Sequence, residues 1–480
     1  MSQAMATRAA DARPIYVAGD WATTGERLDV RNPADGSLAG STYLASDAQY
    51  EAAIVAAERF AAQGQPPAYE RGDLLRAISR GVTARREQLA MSMTLEIGKP
   101  IRDTLLEADR TALAFRLAAA EAERLSGEVI PLDVIPTSKG RVGITRRFPI
   151  GPVAAISPFN LPLGLSVHKL APAIAAGDPI VLRPPSKAPL ALLELADVIH
   201  EAGAPAGSVS IMPMSRELGE RMVADERFKL LTFTGSPAVG WALRDRAGHK
   251  KVLLELGGNA AAIIDETADL DRAVDRCLTG AFKFAGQLCV SIQRLLLHEA
   301  IADTFLERFV AGASRLRVGD PRQPDTDIGP MIDTGVVDRT ERWIAEAVAG
   351  GARLLLAGRR DGQYLGPTIL TDVPRTAALC TEEAFAPIVV VSRFTDFDAA
   401  LAITNDSRFG LQAGVFTNDL GHAWRAFERL QVGGVIVNDI PSYRIDHMPF
   451  GGVKDSGLGR EGLRWAIEEM TELRLLVLAP

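Results

Sequence analysis

The chain has 480 residues, of which 47% are hydrophobic and 24% are charged, and its formal net charge is −7. That length exceeds what one hydrophobic core usually supports, so we expect two or three globular domains. A mildly acidic chain gains nothing from a phosphate backbone, which argues against a nucleic-acid partner, and no apolar run is long enough to span a bilayer. The three cysteines, Cys277, Cys289 and Cys380, form no disulfide framework and no zinc-binding pattern, so we expect a reducing, cytoplasmic location and no metal.

The first part of the chain is mainly helical in its pattern. Its first thirteen residues lack the apolar segment of a secretory signal and are interpreted as a loose arm. A capping-box pattern at Ser46 and Gln49 predicts the start of one helix, and two more helices are predicted over 71–96 and 102–125. β-forming residues interrupted by prolines and a glycine then predict a long hairpin over 128–148.

From residue 152 onward, short apolar runs alternate with helix-length segments, which is typical of βαβ units and a parallel sheet. The first series of runs comprises 153–156, 180–182, 209–212 and 230–233. The second series comprises 261–264, 295–297, 388–391, 414–416 and 435–437. Two α/β domains that meet near residues 253–258 are therefore predicted. A last strand at 474–478 has the pattern of one that pairs with an edge strand, within the chain or on another subunit.

One thiol lies in a segment that suits covalent chemistry, FKFAGQLCVSIQR, where Cys289 follows Gly286 and Gln287. A glycine lets the backbone approach a substrate closely, and a thiol beside a cofactor can attack a carbonyl carbon. The alternative is a thiol packed in the core, which is the interpretation we keep for Cys277 and Cys380.

Two polar residues follow apolar runs at positions that suit catalysis. Glu255 precedes two glycines in LLELGGN, and burial there would raise its pKa towards that of a general base; the alternative is an exposed acid before a turn. Asn160 in SPFNLP can present its amide to a developing oxyanion, or it is an ordinary turn asparagine.

The segment TFTGSPAVG has the pattern of a strand that ends at a helix. Backbone N–H groups near Gly235 and Ser236 could hold a phosphate at that helix start. The segment lacks the full GxGxxG fingerprint, so a capped helix start without a ligand is the alternative.

Together these segments resemble the aldehyde dehydrogenase superfamily from about Ile15 to the C terminus. The motifs that carry the resemblance are, in chain order, EIGKP, SPFN, FTGS, ELGG, GQxC, EEAFAP and PFGGVKDSGLGREG. Within the superfamily the chain looks most like the branch of lactaldehyde, phosphonoacetaldehyde and non-phosphorylating glyceraldehyde-3-phosphate dehydrogenases. That likeness rests on ITRRFPIGP, VHKLAPAIAAG and YRIDHMPFGG.

The resemblance implies an α/β fold with a Rossmann-like cofactor domain and an α/β catalytic domain. The cofactor-binding domain is placed at 14–127 and 147–254, and the catalytic domain at 255–463. The hairpin and the C-terminal strand, at 128–146 and 464–480, are the implied oligomerisation segments of a homodimer or homotetramer.

The resemblance also implies a mechanism. The Cys289 thiolate attacks a small aldehyde, and Asn160 stabilises the oxyanion of the thiohemiacetal. Hydride transfer leaves a thioester, which water activated by Glu255 hydrolyses to a carboxylic acid. Relatives that pass the acyl group to coenzyme A commonly lack this glutamate, so hydrolysis is favoured here.

The implied cofactor is NAD or NADP. Glu383 and Phe385 match positions that hold the nicotinamide ribose and ring. Arg183 replaces the usual lysine, and Ser186 replaces the glutamate of strict NAD enzymes, so the repulsion of a 2′-phosphate is removed and NADP is permitted. The full set of cofactor candidates is Ser157, Phe159, Arg183, Ser186, Lys187, Gly235, Ser236, Gly257, Glu383 and Phe385.

An anionic or hydroxylated small aldehyde is the favoured substrate class, because cations lie where the family places its pocket. The candidates are Arg110, Arg444 and His447. In the alternative interpretation, Arg110 pairs with Glu107 on its own helix and Arg444 is a solvated loop residue.

Three other functions remain open at this point. One is a thiol hydrolase or acyltransferase, which would need a histidine partner for the sulfur. The second is a scaffold of the same fold without activity, and the third is a coenzyme A-acylating aldehyde dehydrogenase.

Overall fold

The computed structural model describes residues 12–479, so most of the expected N-terminal arm lies outside the described residues. The chain alternates strands and helices along most of this length, as the apolar pattern predicts. The strands are β1 (Ile15–Val17), β2 (Asp20–Ala22), β3 (Arg27–Arg31), β4 (Leu38–Tyr43), β5 (Val129–Pro131), β6 (Val142–Pro149), β7 (Val153–Ile156), β8 (Ile180–Arg183), β9 (Val209–Ile211), β10 (Leu230–Thr234), β11 (Lys251–Glu255), β12 (Ala261–Ile264), β13 (Arg294–His298), β14 (Arg353–Leu356), β15 (Arg360–Asp361), β16 (Tyr364–Leu365), β17 (Thr368–Thr371), β18 (Ile388–Phe394), β19 (Phe409–Gly410), β20 (Gln412–Phe416), β21 (Gly434–Val437), β22 (Val453–Lys454), β23 (Gly457–Leu458) and β24 (Thr471–Leu478).

The helices cover both faces of the sheets. They are α1 (Asp47–Ala62), α2 (Ala68–Ala84), α3 (Arg86–Ile97), α4 (Ile101–Glu123), α5 (Pro162–Ala176), α6 (Leu190–Glu201), α7 (Arg216–Ala224), α8 (Pro237–Arg246), α9 (Leu270–Phe282), α10 (Glu299–Ala313), α11 (Thr334–Ala349), α12 (Ala378–Thr381), α13 (Phe397–Asn405), α14 (Leu420–Arg429) and α15 (Leu463–Glu469). In the described part of the chain, no helix is long and apolar enough to cross a membrane.

The first large sheet has eight strands in the order β2-β1-β9-β8-β7-β10-β11-β23. Its five central strands run parallel and are mostly buried, as expected for strands covered by helices on both faces. The order reverses between β7 and β10, and in such sheets ligands bind beyond the carboxyl ends of the strands at the reversal.

The second large sheet has seven strands in the order β14-β17-β18-β13-β12-β20-β21. All of its pairings are parallel except that of β14 with β17. The two predicted series of strands are thus confirmed, one series in each sheet. Near the C terminus the chain returns to the first sheet, where Gly457 of β23 pairs with Glu255 of β11.

The third sheet contains the predicted hairpin and the predicted terminal strand. β6 pairs with β5 on one side and with β24 on the other, both antiparallel. The partner of the terminal strand therefore lies within the same chain. Apolar side chains on β24 remain largely exposed, among them Leu473, Leu475 and Leu476.

One predicted helix is wrong in its extent. The helix expected over 71–96 is two helices, α2 and α3, which are divided at Arg85, where ψ is 17°. The apolar spacing continues past this residue through Leu89 and Met93, both of which are buried, so periodicity alone does not reveal the break. The short N-terminal strands β1 to β4 were also not predicted.

Candidate active site

The first sheet brings several candidate residues to one edge. Ser157 follows β7, Arg183 ends β8, Gly235 follows β10 and Glu255 ends β11, so all four lie at the carboxyl ends of parallel strands. Cys289 lies on the loop between α9 and β13, and β13 belongs to the second large sheet. The ELGG loop, which begins at Glu255, contacts the loop that carries Cys289. A Cβ atom added to Gly258 would collide with the carbonyl oxygen of Cys289.

The backbone that leads to the thiol is strained. Phe284, Ala285 and Gly286 have successive φ values of 50°, 54° and 69°. A non-glycine residue in this region costs on the order of 1–3 kcal/mol, and such strain persists only where the surroundings impose it. Here Phe284 and Ala285 are fully buried, and a Cβ atom on Gly286 would collide with the carbonyl of Ala386. The packed interior therefore imposes the sharp turn that presents Cys289.

Gln287 holds the same loop from inside. Its side-chain nitrogen lies 3.3 Å and 3.4 Å from the carbonyl oxygens of Phe284 and Pro330, and its side-chain oxygen accepts a hydrogen bond of 2.9 Å from the N–H of Ile332. The amide of Asn160 donates to the carbonyl oxygen of Gln287 over 2.9 Å. This bond orients the Asn160 amide and leaves its second N–H available for an oxyanion.

Cys289 lies against an apolar cluster formed by Val290, Leu411 and Phe450. Burial, then the negative charges of Glu383 and Glu255, raises the pKa of its thiol to about 12. At neutral pH the sulfur therefore carries its proton, and it becomes a nucleophile only when that proton is removed.

Glu255 is buried, and its Oε2 atom has no hydrogen-bond partner among the described residues. Burial and the neighbouring charge of Glu461 raise its pKa well above that of an ordinary glutamate, while Arg444 and Lys169 oppose the rise. This is the environment that the sequence predicts for a general base, since a base must have a pKa near the working pH.

Lys169 and Glu461 are site residues that the sequence analysis did not single out. The Lys169 ammonium group lies 3.0 Å from a carboxylate oxygen of Glu461 and donates to the hydroxyls of Thr232 and Thr234. Although burial opposes it, the charge of Lys169 holds the pKa of Glu461 below its usual value. The sequence did contain a signal for Lys169, because it is a charged residue inside the apolar segment VHKLAPAIAAG. A lysine that is buried in a helix requires a partner.

Glu383 contacts the ELGG loop. Its carboxylate accepts a hydrogen bond of 3.1 Å from the N–H of Gly258, and a Cβ atom on Gly257 would collide with it. Burial raises the pKa of Glu383 to about 7. The ring of Phe385 meets the ring of Phe159 edge to face at a centroid distance of 6.1 Å. A carboxylate and an aromatic pair suit the sugar and the flat ring of a nicotinamide nucleoside.

The residues nearer to the first large sheet suit the diphosphate group of a dinucleotide cofactor. Gly235 and Ser236 lie between β10 and α8, and Ser236 has extended backbone geometry at the start of that helix. The Ser157 hydroxyl is buried without a partner among the described residues. Helix N–H groups and an unpaired hydroxyl at the carboxyl edge of a parallel sheet fit a dinucleotide.

Arg183 is half-buried at the end of β8. Its guanidinium group donates to the carbonyl oxygen of Met214 over 3.3 Å and 3.4 Å. Ser186 and Lys187 lie on the exposed loop after β8, and the Lys187 ammonium is 3.9 Å from a carboxylate oxygen of Asp333. The loop thus carries no acid at position 186, and the cations Arg183 and Lys187 lie close to that position in the chain.

Arg110 pairs with a residue far away in the sequence. Its guanidinium group donates to both carboxylate oxygens of Asp446, over 2.7 Å and 3.3 Å. The same carboxylate lies 3.1 Å from Nε2 of His168. Glu107, the partner considered from sequence alone, instead pairs with Lys99 at 2.6 Å, so that alternative is wrong.

The side chain of Arg444 is buried, so the interpretation of a solvated loop residue is wrong. Only 10% of its side chain is exposed, its guanidinium lies 3.9 Å from the centre of the Phe450 ring, and it reaches Glu461 at 3.3 Å. Phe450 also packs near Cys289, so Arg444 lies close to the thiol. Its Nε atom has no partner among residues 12–479. His447, on the same loop, is exposed.

Known proteins place this geometry in a family. The aldehyde dehydrogenase family matches residues 21–476. The 3-sulfolactaldehyde dehydrogenase of Priestia megaterium is 41% identical over 465 residues, which cover 97% of each chain.

Solved structures agree. The structure of aldehyde dehydrogenase 21 from Physcomitrella patens, in complex with its reaction product succinate, superimposes with a TM-score of 0.96 at 43% identity and covers 98% of each chain. A glyceraldehyde-3-phosphate dehydrogenase from Methanocaldococcus jannaschii, complexed with NADP, has a TM-score of 0.90 at 39% identity over 94% of this chain and 99% of that one. These matches confirm the predicted fold class and the predicted branch. The chain belongs to the aldehyde dehydrogenase family, whose members are NAD(P)-dependent oxidoreductases.

Proposed function

We propose that this enzyme oxidises a small aldehyde with an anionic or hydroxylated tail to the carboxylic acid, through a covalent adduct on Cys289. The observation that carries the proposal is the convergence of three groups. The thiol, the amide of Asn160 and the buried carboxyl of Glu255 come from separate elements. Asn160 donates to the carbonyl of Gln287, two residues before Cys289, and the turn that follows Glu255 packs against the carbonyl of Cys289.

The chain's own residues supply most of the chemistry. Once deprotonated, the sulfur of Cys289 adds to the aldehyde carbon, and the second N–H of Asn160 stabilises the oxyanion that forms. Bound NAD(P)+ supplies the acceptor for the hydride that leaves this carbon. Glu255 then takes a proton from water, which attacks the resulting thioester, releases the carboxylic acid and regenerates the thiol.

Two arginines support an anionic tail. Arg444 lies close to the thiol with its Nε atom unpaired among the described residues, and Arg110 shares the carboxylate of Asp446 with His168. An unpaired buried N–H of a guanidinium favours a carboxylate, sulfonate or phosphate.

The rival functions are less well supported. A thiol hydrolase needs a histidine that takes the proton of the sulfur, and His168 is turned towards Asp446 instead. Acyl transfer to coenzyme A is disfavoured by the presence of Glu255 at the position of the hydrolytic base.

We also propose a homodimer or homotetramer built on the segments 128–146 and 464–480, with the cofactor domain at 14–127 and 147–254 and the catalytic domain at 255–463. Exposed apolar residues on β24 and on α14, where Trp424 and Phe427 are 60% and 64% exposed, support an interface between subunits.

We propose a cytoplasmic location as well. Three free cysteines fit a reducing, cytoplasmic location.

The test is the formation of reduced nicotinamide by the purified enzyme. The aldehyde panel would contain lactaldehyde, glyceraldehyde 3-phosphate, phosphonoacetaldehyde, succinic semialdehyde and propanal, each with NAD and with NADP. We expect turnover that does not depend on coenzyme A. Turnover only in the presence of coenzyme A would overturn the hydrolytic mechanism, and cofactor binding without any turnover would favour the scaffold.

A further inference from the structure

The proposed mechanism does not use the buried ion pair of Lys99 and Glu107. Lys99 follows α3, Glu107 lies on α4, and the Lys99 ammonium donates to Oε2 of Glu107 over 2.6 Å. Only 2% of each side chain is exposed. Two charges that are taken out of water need further contacts to offset their lost hydration. Each member of this pair makes such a contact, and the two contacts are with different segments of the candidate site.

Glu107 caps the helix that follows Asn160. Its other carboxylate oxygen, Oε1, accepts hydrogen bonds of 3.1 Å and 2.9 Å from the N–H groups of Leu163 and Gly164. α5 begins at Pro162, which has no N–H, and the residue before it provides no side-chain cap. The N–H groups at a helix start lack partners within the helix, and the helix dipole favours a negative charge there. Glu107 therefore fixes the start of α5 and, two residues earlier, the end of the loop that carries Asn160.

Lys99 contacts the loop that presents Cys289. Its ammonium lies over the Phe284 ring, 5.2 Å from the ring centre, where the electrons of the ring attract a cation. Phe284 is fully buried, and its φ of 50° is part of the strained turn before the thiol. Its carbonyl oxygen accepts a hydrogen bond of 3.0 Å from the backbone N–H of Gln287. Lys99 thus holds the ring of a residue whose backbone shapes the cysteine loop.

These contacts close a circuit around the site. The Asn160 amide donates to the carbonyl oxygen of Gln287, which is the direct link between the two loops. The second link runs from the start of α5 through Glu107 and Lys99 to Phe284, which is bonded to Gln287. One hydrogen bond leaves the amide free to pivot about it, whereas a second attachment restricts its orientation.

We propose that Lys99 and Glu107 are positioning residues for oxyanion stabilisation, because their ion pair holds the Asn160 loop against the loop of Cys289. The inference rests on the proposed function and deepens it. Catalysis needs exact placement, and a shift of about 1 Å caused by a distant substitution can lower a rate by about a hundredfold. Both residues act through the segments that they hold.

Hydrogen–deuterium exchange of the full-length enzyme tests this coupling without turnover. In Glu107→Gln and in Lys99→Met, exchange should rise by about tenfold or more both at residues 162–165 and at residues 284–288. The reason is that removal of one partner leaves the other charge buried and unpaired, so both contacts loosen. Wild-type protection of 284–288 in Glu107→Gln would overturn the proposal, because the carboxylate would then be only a helix cap.

The matched control is Glu96→Gln. Glu96 is also a buried carboxylate that caps a helix from outside, since it accepts hydrogen bonds from the N–H groups of Leu190 and Ala191 at the start of α6. In this variant the rise in exchange should be confined to the start of α6. Failure of the proposed function would show separately, as absent formation of reduced nicotinamide by the wild-type enzyme.

A double-mutant cycle distinguishes positioning of the amide from a merely structural role. Alone, Lys99→Met should lower kcat by about tenfold to a hundredfold, with a smaller change in the KM for the aldehyde. In an Asn160→Ala background the same substitution should lower kcat by less than about twofold, because the group that it positions is already gone. Equal losses of kcat in the two backgrounds would refute the positioning role.

The double variant Lys99→Met/Glu107→Gln keeps the test decisive if a single variant does not fold. It contains no unpaired buried charge, so we expect it to fold. It should show the same rise in exchange at 162–165 and 284–288, and its loss of kcat should again depend on the presence of Asn160. Wild-type exchange and wild-type kcat in this variant would contradict the proposal.

Discussion

The side-chain amide of Asn160 donates a hydrogen bond of 2.9 Å to the carbonyl oxygen of Gln287, two residues before Cys289. The loop that carries the proposed nucleophile and the residue proposed to stabilise the oxyanion are therefore fixed to each other. The bond uses one N–H of the amide and leaves the other available for an oxyanion.

Replacement of Asn160 by alanine should lower kcat by about a hundredfold to a thousandfold, because an oxyanion donor acts mainly in the transition state. The KM for the aldehyde should change much less. Steady-state kinetics with a measurement of Tm would check this. A variant of normal stability that loses less than tenfold in kcat would show that Asn160 only holds the loop.

Glu255→Gln should stop hydrolysis while leaving the formation of the thioester possible. We expect a burst of reduced nicotinamide that is stoichiometric with enzyme, followed by very slow turnover. Intact-protein mass spectrometry should detect the acyl adduct on Cys289. If the adduct does not accumulate and the burst is absent, Glu255 is needed for an earlier step, such as removal of the proton of the thiol.

The coupling of Glu255 to Glu461 predicts the direction of a pH effect. The charge of Glu461 raises the pKa of Glu255, and only the deprotonated form is a base, so kcat should rise with pH. In Glu461→Gln the rise of kcat should occur at lower pH, since the charge that repels the ionised form of Glu255 is gone. In Lys169→Gln it should move to higher pH, since an attracting charge is lost. Shifts in the same direction for both variants would contradict the coupling.

Lys169 and Glu461 show how much of the candidate site can be predicted from the sequence alone. The chemistry-bearing residues Cys289, Glu255 and Asn160 stand in motifs with characteristic neighbours, and the two series of buried strands follow from apolar runs. Lys169 and Glu461 are almost 300 positions apart and meet only through the fold, at 3.0 Å. Their pairing, like that of Arg110 with Asp446, depends on the return of the C-terminal segment to the first sheet, which no local pattern predicts.

Ser186 should control the choice of cofactor. The family resemblance places residue 186 at the adenine ribose, so the carboxylate of Ser186→Glu should repel a 2′-phosphate. We expect the KM for NADP to rise by about tenfold or more while the KM for NAD falls or stays constant. Kinetics with both cofactors would check this. Ser186→Ala is the matched control, and it should affect both cofactors equally. An equal rise for NAD and NADP in Ser186→Glu would place residue 186 outside the ribose site.

The exposed apolar face of β24 should be an interface. Leu476 is 55% exposed, and Leu476→Arg should lower the assembly state, as measured by light scattering with size-exclusion chromatography, because a buried unpaired charge is costly at an interface. Val348→Arg, at a valine that is 41% exposed on α11, is the control and should leave the mass unchanged. An unaltered mass in Leu476→Arg would exclude this strand from the assembly.

The covalent role of Cys289 is tested most directly by comparing wild-type enzyme, Cys289→Ala and the matched control Cys380→Ala for formation of reduced nicotinamide with the best aldehyde of the panel. We expect activity to vanish in Cys289→Ala, with cofactor binding and Tm retained, and to persist in Cys380→Ala. Substantial turnover by Cys289→Ala would contradict the thiohemiacetal mechanism and with it the central claim.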